Sequence, residues 1–328
     1  MNGIKYKLSI IIPTYNGAEW IEDGVRSIAK QIADKPYVEF LIRDNASTDC
    51  MQELVVKLQA EYGSTIKYNR RHENTPELDI NFKEAIDLSS GEYIWLIGDD
   101  DLLLPYAVDQ VLSLIDKHPD VGWFYSNRIV SSFDYKRLYI KETNCIYPCF
   151  EKKYKNTSLF IGEHINGPDF ISVNIIKRDL YNDGCKYIVD KYYGYEWYAK
   201  YLFGSINTSA IYISQPIVLQ RLPKVRSWGK KSVLYALLGL SNLFQDYSKI
   251  SGYDIYSIWM NYLHKKSGMP ITLSGLTKNR ALYKKKYNEI RIHLNRKEQC
   301  IAILLLYCPP FKYINSAIIM LKKKLNLL

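Results

Sequence analysis

The chain opens on Leu8-Ser9-Ile10-Ile11-Ile12, a nearly unbroken apolar run closed by Pro13, as expected of a strand buried on both faces. From Glu19 to Ile32 the apolar residues Trp20, Ile21, Val25, Ile28, Ala29 and Ile32 recur near helical spacing. The alternation then repeats. The pattern predicts strands at Val38–Ile42, Ile66–Asn69, Tyr93–Ile97 and Val121–Tyr125. Between them it predicts helices over Met51–Tyr62, Ile80–Leu88 and Pro105 to about Lys117. Asp49 and Gln52 have the spacing of a capping box for the second helix. Strands separated by helices imply an α/β fold with a mostly parallel sheet flanked by helices. Ligands of such sheets sit at the carboxyl ends of the strands.

From about Ser126 to Arg221 the pattern is irregular and aromatic, with strands expected at Arg128–Ser132 and Ile211–Ile213. Beyond Lys230 it turns helical, over Val233–Asp246, Tyr253–Lys265 and Thr277–Lys297. The expected organisation is a main domain over 1–228, divided into 1–130 and 131–228, followed by a basic helical region over 229–328.

Composition narrows this picture. With 47% hydrophobic residues in 328, a sizeable core is available and global disorder is excluded. The 29 tyrosines suit either a strand-rich core with polar tips or the stacking of sugars. The formal charge of +10 owes much to Lys278–Lys297 and Lys322–Lys324. Around these cations lie a helical stripe (Tyr283, Tyr287, Ile290, Leu294) and two apolar segments, Ile301–Tyr307 and Ile314–Leu325, each too short to span a bilayer. Such segments can lie in the headgroup layer of an anionic membrane. Nucleic acid is not an expected partner. Six scattered cysteines without a C-x-x-C pair argue against zinc and fit a reducing compartment. The start of the chain has no secretory pattern. The expected location is the cytoplasm, peripheral on the inner face of the cytoplasmic membrane.

The chemistry gathers where strands end. Pro13-Thr14-Tyr15-Asn16 follows the first strand, Asp44 the second, and Gly98-Asp99-Asp100-Asp101 the fourth. Parallel neighbouring strands would bring the three segments to one rim. Three adjacent aspartates repel one another and invite a cation or a raised pKa. A divalent ion held by carboxylates and phosphates can neutralise a diphosphate leaving group. Asp44 can accept from a base N–H or close an Asx-type turn. Two other classes compete: a metal-dependent nucleotidyl or phosphoryl transferase, and a non-catalytic binder of membranes or nucleic acid. There is no G-x-x-x-x-G-K-[ST] loop. Pro13-Thr14-Tyr15-Asn16 stands where a dehydrogenase would carry its glycine fingerprint.

In order and approximate spacing, Ser9–Asn16, Asp44–Asp49 and Gly91–Asp101 resemble the family 2 glycosyltransferases of the GT-A fold. The strong resemblance covers roughly residues 8–130, with weaker echoes to about 230. It implies an inverting glycosyltransferase using a nucleoside-diphosphate sugar and Mn2+ or Mg2+. Pro13, Thr14, Tyr15, Asn16 and Asp44 would hold the nucleobase. Asp99 and Asp100 would bind ribose and diphosphate, and Asp100 and Asp101 the metal, with Asp99 a further contender. The family usually carries an acid where Gly98 stands, which leaves the division of labour among the three aspartates open. The Gly-Asp-Asp-Asp form is similar to transferases of bacterial O-antigen assembly, including the abequosyltransferase-like group. This implies a saccharide or lipid-linked saccharide acceptor in surface polysaccharide synthesis.

The resemblance also implies a base at a helix start after the sheet. Gly194-Tyr195-Glu196-Trp197-Tyr198 matches that region, making Glu196 the candidate and Asp190 its alternative. Arg226, in a basic strip with Arg221 and Lys224, and Asn81 on the third helix are further candidates for the donor. Trp197 and Tyr198 can stack on an acceptor sugar or belong to the core.

Overall fold

The computed structural model describes residues 6–132, 134–140, 150–187, 192–222, 233–265 and 268–308. They divide into two compact units, Met1–Ile188 with Lys200–Lys224, and Val189–Ala199 with Val225–Leu328.

The first unit is built on one ten-stranded mixed sheet. Strands β1 (Leu8–Thr14), β2 (Val38–Asp44), β3 (Lys67–Arg70) and β4 (Tyr93–Leu96) form a parallel block in the order β3-β2-β1-β4. Helices α1 (Ile21–Ile32), α2 (Met51–Tyr62) and α3 (Leu78–Asp87) make the crossovers. The apolar run of β1 explains its central place, since Leu8, Ile10, Ile11 and Ile12 are all fully buried. On α1 the inward residues are Ile21, Val25, Ile28, Ala29 and Ile32, as the spacing requires.

Beyond β4 the sheet continues through β9 (Asn174–Lys177), β6 (Val121–Ser131), β10 (Ser209–Arg221) and β5 (Leu102–Leu103). Strand β9 runs antiparallel to both β4 and β6, so it joins the parallel block to a second parallel pair, β6 and β10. Edge strands β7 (Leu138–Ile140) and β8 (Glu151–Tyr154) complete the sheet. The two strands expected at Val121–Tyr125 and Arg128–Ser132 are one. The polar break between them is a register shift opposite β10, where the Asn127 amide donates to the Ser214 carbonyl at 3.2 Å. The stretch that looks irregular in sequence also holds helices α5 (Thr157–Glu163) and α6 (Arg178–Gly184), whose seven residues are too few to display a period. Helix α4 (Ala107–Lys117) follows the acidic segment.

The capping box of α2 is not formed. Cys50 is the N-cap, and Asp49 instead accepts from Met51 N–H at 3.3 Å and from Ala18 N–H at 2.9 Å. It ties the loop after β1 to the start of α2.

Helix α7 (Glu196–Gly204) begins in the second unit and ends in the first. The other described residues of the second unit are mostly helical. Its described helices are a π-helical turn over Leu234–Leu240, then α8 (Ser241–Ser251), α9 (Ile255–Lys265), α10 (Gly268–Ser274), α11 (Arg280–Lys285), α12 (Tyr287–Ile290) and α13 (Arg296–Tyr307), with short 3-10 turns at Gly275–Lys278 and Arg291–His293. The single helix expected over Thr277–Lys297 is therefore broken. Asn279 and Asn295 each cap a new helix with the side chain, on Leu282 N–H and Glu298 N–H. Among the described residues no helix is long and apolar enough to cross a membrane.

His293 is buried in this unit, between Tyr256 Oη at 3.0 Å and Asn242 Oδ1 at 2.9 Å. A neutral ring satisfies both, accepting from the tyrosine and donating to the amide. Burial pushes its pKa down to about 4. The unfolded chain takes up this proton near the ordinary histidine value, so the stabilisation is complete above that value and lost as pH falls through the folded pKa. Lowering the pH from neutrality to about 4 should therefore remove about 3 kcal/mol from the stability of this unit. Urea midpoints across that range check this, and His293→Gln should flatten the dependence. Equal acid sensitivity in variant and parent would exclude His293 as its origin.

Candidate functional site

The strand order places the carboxyl ends of β2, β1 and β4 side by side, and hydrogen bonds join their loops. Thr14 Oγ1 donates to Asp99 Oδ2 at 2.6 Å. Asn45 N–H donates to the Thr14 carbonyl at 2.9 Å. Asn16, at φ 53°, donates its N–H to Ser47 Oγ at 2.8 Å and accepts from Thr48 N–H on its side-chain oxygen at 2.8 Å. Pro13, Thr14, Asn16, Asp44 and Asp99 thus belong to one rim. Tyr15 lies there, 46% exposed.

Asp44 is fully buried. One carboxylate oxygen accepts from Ser47 N–H at 2.9 Å and Ser47 Oγ at 2.6 Å, closing the turn after β2. The other accepts from Tyr68 Oη at 2.6 Å, with Arg70 Nε at 3.5 Å. Asn45 is likewise engaged, bonding Thr75 through both ends of its amide. This carboxylate organises the rim from beneath.

The three aspartates occupy distinct settings. Asp99 faces the first loop, and burial raises its pKa to about 6, against the stabilising Thr14 hydrogen bond. Asp100 is half-buried, its pKa also raised by burial. Asp101 turns inward and is 1% exposed. It accepts from Ser172 Oγ at 2.5 Å and from Arg221 N–H at 3.3 Å. Burial and the neighbouring Asp100 charge hold its pKa well above the usual carboxylate range.

Two groups invisible to the motif reading keep this turn in place. Ser172 also accepts from Gly98 N–H at 2.8 Å, so one hydroxyl clamps both ends of the turn. The Arg221 guanidinium is buried, donating to the Asp100 carbonyl at 3.1 Å, to Asp23 at 3.1 Å and to the Trp20 carbonyl. The sequence assigns Arg221 to a flexible basic strip, but the structure uses it as an internal tie. Close packing also explains two glycines. A Cβ at Gly17 would stand 2.5 Å from Asp99 Oδ2 and 2.6 Å from Thr14 Oγ1. A Cβ at Gly98 would stand 2.8 Å from Asp101 Oδ2.

The acids offer hard oxygen ligands, which suits Mg2+ or Mn2+. Among the described residues no group of three or more His, Cys, Asp and Glu side chains converges as a closed metal cage.

Asn81 lies on α3, 4% exposed. Glu196 starts α7 in the second unit. Its carboxylate accepts from Tyr192 N–H at 3.1 Å and Gly194 N–H at 2.8 Å, which fixes its orientation at the helix start. Trp197 and Tyr198 are buried, so they belong to the core. Asp190 and Arg226 lie outside the described residues.

The family model described as glycosyl transferase family 2 matches residues 9–205. The chain is 33% identical over 114 residues to the abequosyltransferase RfbV of Salmonella typhimurium, covering 35% of this chain and 34% of that protein. Over 108 residues it is 32% identical to the GalNAc(5)-diNAcBac-PP-undecaprenol beta-1,3-glucosyltransferase of Campylobacter jejuni, covering 32% and 33% of the two chains. The matched region is thus about a third of these relatives' length. In three dimensions the chain is similar to residues 1–349 of Staphylococcus aureus TarS in complex with UDP-GlcNAc, with TM-score 0.57 and 15% identity over 92% of this chain and 79% of that one. It is also similar to the mannosyltransferase PcManGT of Pyrobaculum calidifontis in complex with GDP-Man and Mn2+, with TM-score 0.54 and 16% identity over 96% and 87%. These likenesses establish the GT-A fold.

Ser172→Ala should leave the inward Asp101 carboxylate without its hydroxyl donor and cost about 2 kcal/mol. Urea unfolding of the metal-free protein measures this. A loss within error of zero would show that Ser172 does not hold the turn.

Proposed function

Since this chain belongs to glycosyl transferase family 2, we propose that it transfers a sugar from a nucleoside-diphosphate donor, with inversion, to a saccharide or lipid-linked saccharide acceptor of a bacterial surface polysaccharide. Membership displaces the competing readings as a nucleotidyl transferase or a non-catalytic binder. The observation that carries the proposal is the joined rim, where Thr14 bonds both Asp99 and the loop after Asp44. The donor would lie along it, with the base beside Pro13–Asn16 and Asp44 and the ribose toward Asp99. Asn81 and Arg226 remain donor candidates.

Asp100 is the proposed cation ligand, because Asp101 is committed inward to Ser172 and Arg221. When bound, Mg2+ or Mn2+ supplies Lewis-acid neutralisation of charge on the departing diphosphate. Asp101 then serves to fix the turn that presents Asp100. Glu196 is the proposed general base, taking the proton of the acceptor hydroxyl as that oxygen attacks the anomeric carbon, with Asp190 the alternative. The assignment stands on the place of Glu196 at the start of α7; both its oxygens accept backbone N–H bonds, and the acceptor proton would go to a remaining lone pair. The names of the two sequence relatives, an abequosyltransferase and an undecaprenol-linked glucosyltransferase, support the acceptor class. Such an acceptor fits a peripheral position on the inner face of the cytoplasmic membrane, reached through the basic C-terminal region.

Titration with UDP, GDP, CDP and dTDP, each with and without Mn2+, should reveal one metal-dependent ligand. Asp100→Ala should weaken that ligand at least about tenfold. Unchanged affinity would remove Asp100 from the cation site. Glu196→Gln should leave donor binding intact and slow transfer by about a hundredfold or more. Near-normal turnover would move the base elsewhere. The anomeric configuration of the product, read by NMR, tests inversion.

A further inference from the structure

Helix α13 of the second unit has two apolar faces. Ala302, Leu305 and Leu306 are buried against the unit. On the other side Cys300, Ile303, Leu304 and Tyr307 recur at i, i+3, i+4 and i+7, and all four are exposed. Ile303 is 44% exposed, Leu304 41% and Tyr307 57%. Cations border this stripe at both ends. Arg296 and Lys297 stand one turn before Cys300 on the same face, both exposed. Lys284 of α11 places its ammonium 4.5 Å from the Tyr307 ring centroid. Across residues 278–308 there are eight lysines and arginines against two glutamates. Both glutamates are engaged within the unit, Glu289 by Lys286 and Glu298 by His264 and the Asn295 cap.

We propose that this face of α13 seats the second unit on an anionic lipid surface, with Ile303, Leu304 and Tyr307 entering the headgroup boundary and Lys284, Arg296 and Lys297 meeting lipid phosphates. The charge pattern selects this occupant. A protein partner would need matching acids around an aliphatic centre, whereas an anionic bilayer supplies both layers at once. The completed capping box at Asn295 and Glu298 means that α13 is formed before contact, so no folding cost attends binding. The inference rests on the peripheral-membrane part of the proposed function and names the element and lipid class that would deliver it.

Co-sedimentation of the full chain with phosphatidylcholine vesicles, with and without phosphatidylglycerol, tests it at low and high salt. The chain should bind only the anionic vesicles, less as salt rises. The double substitution Ile303→Ser with Leu304→Ser should weaken binding about tenfold while leaving metal-dependent nucleotide binding unchanged. Lys284→Glu should weaken it too. A parent chain that ignores anionic vesicles would overturn both the membrane reading and this inference. Undiminished binding by the double variant, with loss on Leu321→Ser and Leu325→Ser instead, would overturn this inference alone.

Discussion

Holding three consecutive carboxylates in one turn, half-buried at Asp99 and Asp100 and buried at Asp101, is the constraint around which the first unit is arranged. Water cannot solvate the turn after β4 fully, and each aspartate there resists ionisation. The fold answers with fixed donors from distant parts of the chain. Thr14 comes from β1, Ser172 from the 3-10 turn before β9, and the backbone N–H and guanidinium of Arg221 from the end of β10. A cation brought by a diphosphate would relieve the remaining repulsion, so the site is electrostatically prepared for a ligand of mixed charge. The sheet topology serves this end. Strand β1 must sit between β2 and β4 for Thr14 to reach Asp99 and the loop after Asp44 together.

The parallel block was legible in the sequence because β1, β2 and β4 are buried on both faces and read mainly as apolar runs, with amphipathic helices between them, while the polar edge strand β3 carries little signal of its own. The acidic turn stood out for the same reason, since nothing in a buried strand prepares for three aspartates. Less of its support could be read. Ser172 lies 71 residues from Asp101, and Arg221 lies 120 away, so no local spacing announces either. Strand β9 is four residues long and enters the sheet antiparallel, which leaves no periodic signature. Ten of the tyrosines are buried and belong to the core, Tyr93, Tyr125, Tyr181, Tyr198 and Tyr201 among them. Periodicity also misled in the second unit, where the stripe Tyr283–Leu294 suggested one helix. The chain leaves the helical path at Lys286, between α11 and α12, and tightens into the 3-10 turn Arg291–His293 before Asn295 caps a new helix, and a helical period does not reveal such breaks.

Two carboxylates that invite a role at the proposed donor site are used in the same way. Asp44 spends both oxygens on Ser47 and Tyr68, with Arg70 alongside. Asp101 spends both on Ser172 and Arg221. In each case an acid that a motif would assign to the ligand braces the loop that carries its neighbours. A motif records which residue types occur together, whereas hydrogen-bond accounting separates the groups that hold the frame from those left to act.

The tight approach of Gly17 to Asp99 and Thr14 bears on how donor preference could be re-engineered. Transplanting the loop after β1 from a homologue would import whatever residue that homologue has at this point, and even a methyl group would collide with the carboxylate it must lie beside. The loop and the turn after β4 therefore form a single exchangeable cassette, and chimeras that split the two would have to reshape the acidic corner itself.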